Sequence, residues 1–422
     1  MSGLANDDDV IWHIGVFDAH CHPTDIAASI KEIANMKTRA LTTMATRSQD
    51  QDLVADAAAE YLLKSRHDLS EETTSRYVIP AFGWHPWFSH QIFDDRVPDA
   101  KSDAVEHYQT VLTPNPDDLE LLKSLPTPKA LSQFLDETES RLQQFPFALV
   151  GEIGLDRSFR LPEGPTATTG ETSDNTGGIE DYTAGSRQGR PLTPYRVGMD
   201  HQKTIFRAQL ELAAKLRRPV SVHSVQAHGV VFELLQVMWK GHEKKSKREQ
   251  KRRQSVPKAH DEDDLYQRSL KTEAPLPYPP RICMHSYSGP PDALRQFLNH
   301  SVPAEVYFSF SSAINFSNPS SAKVISAIKA VPDDRLLVES DLHCAGGKMD
   351  ELLKDIILKV CEIKGWPIRD GATRLKQNWE RFIFGEKEAT SIGSEVDVRQ
   401  IFSVISPSRP SPSGSDDIMP SQ

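Results

Sequence analysis

The chain has 422 residues, a length that suits one large domain or two ordinary ones. Its 59 acidic and 49 basic residues leave a formal charge of −10, so the surface as a whole does not favour a polyanion, although net charge says little about one cleft. No apolar run approaches the roughly 18 residues of a membrane span, the acidic N-terminus lacks a signal peptide's apolar core, and four cysteines without a CxxC pair indicate a reduced compartment, the cytoplasm or the nucleus.

Short apolar runs recur along the chain, at residues 13–20, 40–46, 78–85, 147–154, 219–224, 281–286, 305–310 and 335–340. Most are nearly continuous in apolar residues, which is typical of strands buried on both faces. Helical patterns lie between several of them, at residues 202–218, 230–239, 291–300 and 320–330. Strands that alternate with helices in this way predict an α/β fold, and eight of them predict a (β/α)8 TIM barrel.

Two polar segments interrupt this pattern, at about residues 157–199 and 240–280. The first is rich in Gly, Thr, Pro and Ser, and the second runs from a basic block through an acidic one to a Pro-rich exit. The end of the chain, residues 404–422, is rich in Ser and Pro. Such compositions are typical of disorder. We therefore predict a single domain over residues 10–403, with two disordered insertions and a disordered tail at 404–422.

The second insertion contains the basic block KKSKREQKRR at residues 244–253, followed by the acidic run DEDD at 261–264. Charge runs of this kind are commonly solvated, disordered segments. Clustered Lys and Arg also form nuclear-import signals, or hold nucleic-acid phosphate through salt-dependent contacts. The acidic run can fold back on the block and mask it. Of the two functional interpretations we favour nuclear import.

Imidazoles and carboxylates stand at or near the ends of six predicted strands. They belong to His20, His22, His85, Glu152, His223, His285 and Asp341. The C-terminal ends of the strands in a TIM barrel form one rim, where active sites lie, and these side chains are metal ligands by type. In an extended chain His20 and His22 point to the same face and can grip one ion, whereas Cys21 points elsewhere and is better explained by packing.

Each candidate also has a purely structural interpretation. A hydrogen-bonded histidine without a metal is the simpler reading for His85, His90, His228 and His343. Glu152 lies in an apolar strand, where an unpaired carboxylate is costly, and either Arg157 or a metal can serve as its cation. Asp341 can cap a helix, and His223 and His285 can be core residues. Coincidence at six strand ends is a weaker explanation than one binuclear metal site.

The chain resembles a known family in several motifs. These are DAHCH (18–22), GWHP (83–86), GEIGLD (151–156), the block QKTIFRAQLELAAKLRRPVSVHS (202–224), HSYSG (285–289), ESD (339–341) and NWERFIF (378–384). They are similar to motifs of the TatD family of metal-dependent deoxyribonucleases, within the wider amidohydrolase-like barrels. ESD departs from the family's ETD by a Thr-to-Ser change that keeps the hydroxyl and both carboxylates. The resemblance covers most of the chain outside the insertions and the tail.

The resemblance implies a site with two divalent metal ions. His20, His22 and Asp341 would hold one ion, His223 and His285 the other, and Glu152 would bridge them. The substrate implied is DNA, cleaved when an activated water attacks the phosphodiester phosphorus. Glu152 and Asp341 are then the catalytic residues, with Asp341 accepting the proton of the water, and His85 contacts substrate. The family favours Mg for activity, while the histidines suit Zn or Mn.

Two other functions remain open at this stage. An amidohydrolase on the same fold would cleave C–N bonds, but many of those enzymes carry a carbamylated Lys on the fourth strand, where this chain has Glu152. A scaffold with an intact but secondary site is the second alternative. The insertions set this chain apart from most of the family, and fungal members with such insertions resemble proteins described as interactors of a cell-cycle ubiquitin-ligase subunit. A protein partner that binds the insertions is therefore a further expectation.

Overall fold

The computed structural model describes residues 7–70, 74–98, 103–163, 191–245, 276–317 and 322–386. The strands in these residues are β1 (Phe17–Cys21), β2 (Ala40–Met44), β3 (Tyr77–Phe82), β4 (Ile92–Phe93), β5 (Leu112–Thr113), β6 (Lys129–Ala130), β7 (Leu149–Asp156), β8 (Arg196–Val197), β9 (Val220–Val225), β10 (Arg281–Met284), β11 (Glu305–Phe310) and β12 (Leu336–Val338). Eight of them form one sheet in the order β1-β2-β3-β7-β9-β10-β11-β12, with every neighbouring pair parallel. The predicted TIM barrel is confirmed.

Hydrogen bonds beyond the last strand close the sheet into a barrel. The Asp341 N–H donates to the His20 carbonyl oxygen at 3.0 Å. Ser340 donates its backbone N–H and its hydroxyl to the two carboxylate oxygens of Asp18, at 3.0 and 2.6 Å. Asp18 is fully buried, and burial raises its pKa to about 7. The seam between β12 and β1 therefore rests on a buried carboxyl group as well as on backbone pairing.

Helices surround the barrel and fill the connections between strands. In the described residues they are α1 (Asp7–Ile14), α2 (Gln51–Glu60), α3 (Ala104–Val111), α4 (Leu119–Ser124), α5 (Leu131–Gln144), α6 (Met199–Lys215), α7 (His228–Trp239), α8 (Pro291–Phe297), α9 (Ser312–Asn315), α10 (Ala322–Ala330), α11 (Gly347–Lys364) and α12 (Ile368–Phe384). Four 3-10 segments add Pro23–Asp25, Ala27–Asn35, Arg66–Leu69 and Pro86–Gln91. None of the described helices is both long and apolar enough to cross a bilayer.

The strands are apolar on both faces because each face meets a different core. In β2, Ala40 joins a cluster that combines residues from seven barrel strands with the aromatic side chains of α12, so this cluster fills the barrel interior. Its neighbour Leu41 joins the larger cluster under the surrounding helices. Two buried faces account for the nearly continuous apolar runs in the sequence.

The first predicted strand begins too early. Residues 13 and 14 belong to α1, and β1 starts only at Phe17. Gly15 separates the two elements: its N–H donates to the Ile11 carbonyl oxygen, and its φ of 99° is a conformation that favours glycine. The apolar run was continuous across this break, so periodicity alone did not locate it.

The first predicted insertion is bounded more narrowly than its composition suggests. Leu161 and Val197 are buried and pack with Tyr108 in a small cluster beside the barrel. β8 pairs antiparallel with β5, and Thr193 and Leu161 are joined by a backbone hydrogen bond of 2.9 Å. The prediction of a loop over 157–199 is therefore wrong at both ends. The average composition of this long segment is polar, and it does not reveal the few apolar residues that pack against the barrel.

Other predicted segments lie outside the described residues. These are residues 164–190 of the first insertion, 246–275 of the second with most of its basic block, and 387–422, which include the predicted domain end at 403 and the tail. The described residues up to Gly385 form one compact unit.

Candidate metal centre and active site

The residues singled out in the sequence meet at the C-terminal side of the barrel. The structure places His20 in β1, His22 just after it, His85 after β3, Glu152 in β7, His223 in β9, His285 after β10 and Asp341 after β12. Parallel strands bring these positions together although the first and the last are more than 300 residues apart in sequence. Except for the half-buried Asp341, all of them are less than one tenth exposed.

One oxygen of the Glu152 carboxylate faces three imidazoles. Its Oε1 lies 2.7 Å from His285 Nε2 and 2.8 Å from His223 Nδ1. His85 Nε2 is 3.1 Å from the same oxygen. Across this group, His223 Nδ1 is 3.3 Å from His285 Nε2 and 3.2 Å from His85 Nε2.

The other oxygen of Glu152 faces the His20–His22 pair. Oε2 is 3.2 Å from His22 Nε2 and 3.4 Å from His20 Nε2, and the two imidazole nitrogens are 3.1 Å apart. Asp341 Oδ1 lies further out, 3.6 Å from His22 Nε2 and 3.8 Å from His20 Nε2. Glu152 thus stands between two groups of side chains and presents one oxygen to each.

The donor chemistry of these groups fits divalent cations. Imidazole nitrogens that face one another at 3.1 to 3.3 Å cannot all donate hydrogen bonds, because each pair needs one lone pair and one proton. A cation instead accepts every lone pair at once. Among the described residues, three sets have ligand atoms within 4.8 Å of one another: His20 with His22 and Glu152, His85 with Glu152 and His223, and His20 with His285 and Glu339.

Electrostatics keep the Glu152 carboxylate charged, leave some of the imidazoles neutral and favour the protonated form of others. Burial would raise the pKa of Glu152, but the surrounding imidazoles outweigh burial and hold this pKa well below its usual range. Burial lowers the pKa of His20 to about 3, and the neighbouring His285 contributes to the decrease. At His22 burial acts in the same direction, but the Glu152 carboxylate outweighs it and raises the pKa to about 9. A carboxylate and at least one neutral imidazole therefore coexist near neutral pH.

A backbone hydrogen bond fixes the tautomer of His85. Its Nδ1 accepts a hydrogen bond of 3.1 Å from the Trp87 backbone N–H. Burial lowers the pKa of His85 to about 4, so the ring is neutral and the proton lies on Nε2, which points at Glu152. A protonated nitrogen is a hydrogen-bond donor rather than a metal ligand, so this tautomer removes His85 from the set that it forms with Glu152 and His223. This tautomer suits the substrate contact expected for His85.

Asp156 is a functional candidate that the sequence analysis named only as the end of a motif. Its Oδ2 lies 3.0 Å from His223 Nε2 and accepts a 2.6 Å hydrogen bond from Trp87 Nε1–H. Its Oδ1 accepts from the backbone N–H groups of Ser158 and Phe159, at 2.6 and 2.9 Å. A carboxylate behind a ligating histidine fixes its tautomer and orientation. The even spacing from Glu152 along one strand was the available signal.

Glu339 and Ser221 support two further histidines. Glu339 is fully buried, accepts hydrogen bonds from Ser286 N–H at 2.7 Å and from the Ser309 hydroxyl, and lies 3.7 Å from His285 Nδ1. Ser221 Oγ is 2.8 Å from His20 Nδ1. Sequence reasoning matched Glu339 to the family motif without assigning it a role, and nothing in the sequence pointed to Ser221.

The backbone is strained where strands leave the barrel. Asp341, Ser286 and Gln226 have φ values of 51°, 38° and 54°, shortly after β12, β10 and β9. Such conformations cost about 1–3 kcal/mol each in a residue with a side chain, and they concentrate at functional sites. Asp341 does not cap a helix, since the N-cap of the next helix is Gly346.

The remaining sequence candidates have structural partners. His228 Nδ1 lies 3.0 Å from Ser224 Oγ, and His343 Nδ1 lies 2.7 Å from Asp25 Oδ2. His90 packs beside Tyr108, outside the cluster around Glu152. Arg157 is exposed, and the imidazoles, not Arg157, surround Glu152 in the described structure.

The chain is similar to known proteins over most of its length. The sequence profile of the family described as TatD related DNase matches residues 17–384. Cut9-interacting protein scn1 of Schizosaccharomyces pombe is 39% identical over 371 residues, which cover 87% of this chain and 98% of that protein. A protein named uncharacterized deoxyribonuclease YMR262W, from Saccharomyces cerevisiae, is 26% identical over 272 residues, or 64% of this chain and 67% of its own length.

A solved structure of similar extent is that of YJJV, a TatD homologue from Escherichia coli K12. It is 18% identical, covers 89% of this chain and 99% of its own, and has a TM-score of 0.45. With the family profile spanning the barrel and all its rim residues, the chain belongs to the TatD-related DNase family of hydrolases.

Proposed function

We propose that this hydrolase cleaves phosphodiester bonds of DNA at a site with two divalent metal ions. The observation that carries the proposal is the position of Glu152, whose two oxygens face two separate groups of imidazoles. In this proposal His20, His22 and Asp341 would hold one ion, His223 and His285 would hold the other, and the Glu152 carboxylate would serve both.

Bound divalent ions supply positive charge that stabilises phosphoryl oxygens and acidifies water. The side chains of the site do the rest. Asp341, whose side chain is 15% exposed, stands at the edge of the cluster and can accept the proton that the attacking water loses. His85 presents its Nε2–H to the same space and can donate to a phosphoryl oxygen. We propose Mg as the activating ion, with Zn and Mn as alternatives.

The fourth strand of the barrel supports phosphodiester rather than C–N bond hydrolysis. β7 is the fourth strand in the sheet order, and the residue that faces the imidazoles there is Glu152. A carbamylated Lys would supply a similar bridging carboxylate in an amidohydrolase, but this position holds no Lys.

A second role in protein binding has one specific observation in its favour. The relative with 39% identity over 98% of its length is named as an interactor of Cut9. We propose that this chain also binds a protein partner, through the segments that set it apart from shorter barrels, and that it acts in the cytoplasm or the nucleus. A connection to a cell-cycle ubiquitin-ligase complex is part of this second proposal.

The test is cleavage of labelled single- and double-stranded oligonucleotides by the purified protein, with Mg, Mn, Zn or a chelator. We expect metal-dependent cleavage that Glu152→Gln abolishes. Glu305→Gln is the matched control, because Glu305 begins β11 at the opposite end of the barrel. Cleavage that survives in Glu152→Gln, or that continues without metal, contradicts the proposal.

A further inference from the structure

Two aromatic rings stack at the edge of the candidate site. Trp87 belongs to the turn after β3, and Phe159 follows β7. Their ring centroids are 4.9 Å apart, with only 13° between the planes. Both side chains are half-buried, so the described residues leave part of their surface uncovered. The pair is not part of the inner imidazole cluster, and the proposed chemistry does not use it.

Hydrogen bonds hold this pair against the reacting groups. Asp156 accepts from the Trp87 indole N–H through Oδ2 and from the Phe159 backbone N–H through Oδ1. The same Oδ2 lies 3.0 Å from His223 Nε2. The Trp87 ring also lies edge-on to the ring of His85, with centroids 4.6 Å apart. The position of the stack is therefore fixed relative to a metal-ligand candidate and to the proposed phosphate contact.

Two arginines lie close to Phe159 in the sequence. Arg157 and Arg160 flank Phe159 in sequence, and both are exposed. Within the part of the chain that the structure describes, neither guanidinium forms an ion pair. Proteins that bind unpaired nucleotides combine aromatic rings with positively charged side chains, because every base has a face that can stack and each phosphate carries a negative charge.

We propose that Trp87 and Phe159 form a base-stacking subsite for the nucleotide next to the scissile phosphate. This inference rests on the proposed function. Phe159 offers the outer ring to the base, Trp87 supports Phe159 from behind, and Arg157 and Arg160 contact the flanking phosphates. A base already stacked in a duplex cannot use the subsite, so the adjoining nucleotide enters unpaired.

Phe159 is the residue to change, because its side chain makes no hydrogen bond to Asp156. The experiment crosses wild-type protein and Phe159→Ala with two single-stranded oligonucleotides, one of normal sequence and one abasic at the nucleotide beside the cleaved bond. Both kcat/KM and binding by fluorescence anisotropy are measured. We expect the wild type to lose roughly 5- to 150-fold on the abasic substrate, the range for one stacked base. Phe159→Ala should lose a similar factor on the normal substrate and little more on the abasic one.

Phe147→Ala is the matched control. Phe147 precedes the same strand, is also half-buried, and pairs with the ring of Phe384 at the other end of the barrel. It should behave as wild type on both oligonucleotides, and Phe159→Trp should restore discrimination against the abasic substrate. Independent, multiplying losses from Phe159→Ala and from the abasic nucleotide overturn the subsite.

The binding measurement separates this inference from the proposed function. If no metal supports cleavage but anisotropy shows the same non-additive pattern, the nuclease proposal fails and the subsite stands. If cleavage is robust and Phe159→Ala matches the wild type on both substrates, the subsite fails and the nuclease proposal stands. Absence of any oligonucleotide binding contradicts both.

Discussion

The two ends of the barrel are built from the same strands but from opposite chemistry. At the N-terminal end Phe17, Tyr77 and Leu149 begin their strands and pack with Trp379 and other aromatic side chains of α12. At the C-terminal end the same strands present histidines and carboxylates that are almost completely buried. One end buries apolar surface and contributes stability, whereas the other collects ionisable groups that contribute little to stability unless a cation joins them.

This contrast predicts that substitutions at the C-terminal end of the barrel impair activity without loss of stability, and that substitutions at the N-terminal end do the opposite. The largest effect is expected at Glu152 and Asp341. Glu152→Gln and Asp341→Asn should each abolish hydrolysis while the thermal unfolding midpoint stays near that of the wild type, because both lie at the rim and not in the apolar core. Activity is measured with saturating metal beside thermal unfolding. Turnover at the wild-type rate in either variant would remove that residue from the mechanism.

The opposite pattern is expected for Trp379→Ala. Trp379 is 1% exposed, lies 4.8 Å from Phe17 between ring centroids, and donates its indole N–H to Thr42 Oγ1. We expect the free energy of unfolding to fall by about 3–5 kcal/mol, while kcat of the folded fraction is unchanged. Urea unfolding checks this, with Trp366→Ala as the control, because Trp366 is only half-buried. Equal losses in the two variants would contradict the packing argument.

A smaller effect on the functional end is expected from Asp156→Asn. The amide has one accepting oxygen, and if the backbone N–H groups of Ser158 and Phe159 keep it, the NH2 group faces His223 Nε2–H as a second donor. Metal affinity should therefore fall about 10- to 100-fold. Calorimetric titration with Zn or Mn measures the affinity without any substrate. Asp50→Asn is the matched control: Asp50 is also a buried carboxylate near this rim, but its hydrogen bonds go to Thr46 and Arg47. If metal affinity falls equally in both variants, the loss comes from removing any buried negative charge near the rim, and the specific contact between Asp156 and His223 is not its cause.

The same two ends explain how much could be predicted from sequence. Apolar runs of strand length reveal the barrel because both faces are buried, and the rim residues follow because polar side chains end those runs. The roles of Asp156 and Glu339 depend on which histidine each carboxylate approaches, which is a tertiary contact. The break at Gly15 and the packing of Leu161 and Val197 could not be predicted either. Each depends on one or two residues, and the average composition of a longer segment does not reveal them.

A third region, outside both ends, should make stability depend on pH. His90 and His107 are buried, and the half-buried His201 packs beside them, with 5.8 Å between the ring centroids of His107 and His201. Burial, and then the neighbouring His201, lowers the pKa of His90 to about 3, and burial lowers that of His201 to about 4. These rings stay neutral in the folded chain while the unfolded chain takes up protons below its pKa of 6.5. Stability is therefore complete above pH 6.5 and falls as the pH decreases below it.

At one pH unit below 6.5, His90 should contribute a loss of about 1.4 kcal/mol in the free energy of unfolding. His90→Phe removes this titration, so its stability should change less than that of the wild type between pH 7.5 and 5.5. His67→Gln is the control, since His67 is exposed. Urea unfolding at the two pH values tests the difference. A wild type and a His90→Phe variant with parallel pH dependence would show that His90 is not the group responsible.

The smallest effect is expected from shortening the first insertion. The ends of this segment are already joined, because Glu163 N–H donates to the Pro191 carbonyl oxygen at 2.9 Å and Pro162 forms a bridge with Leu192. Residues 165–189 contain few apolar side chains. Replacing them with a short Gly/Ser linker should leave the free energy of unfolding within about 0.5 kcal/mol, since loop length changes closure entropy only slowly.

A wider deletion of residues 160–196 makes the comparison decisive. It removes Leu161, which is buried beside Tyr108, and the buried Thr193, and it breaks the pairing of β8 with β5. Loss of the buried Leu161 side chain alone should cost about 2–5 kcal/mol. If the two deletion variants have equal free energies of unfolding, the small cluster around Tyr108 does not depend on the ends of the insertion. If the narrow deletion is as unstable as the wide one, residues 165–189 supply packing that their composition does not predict.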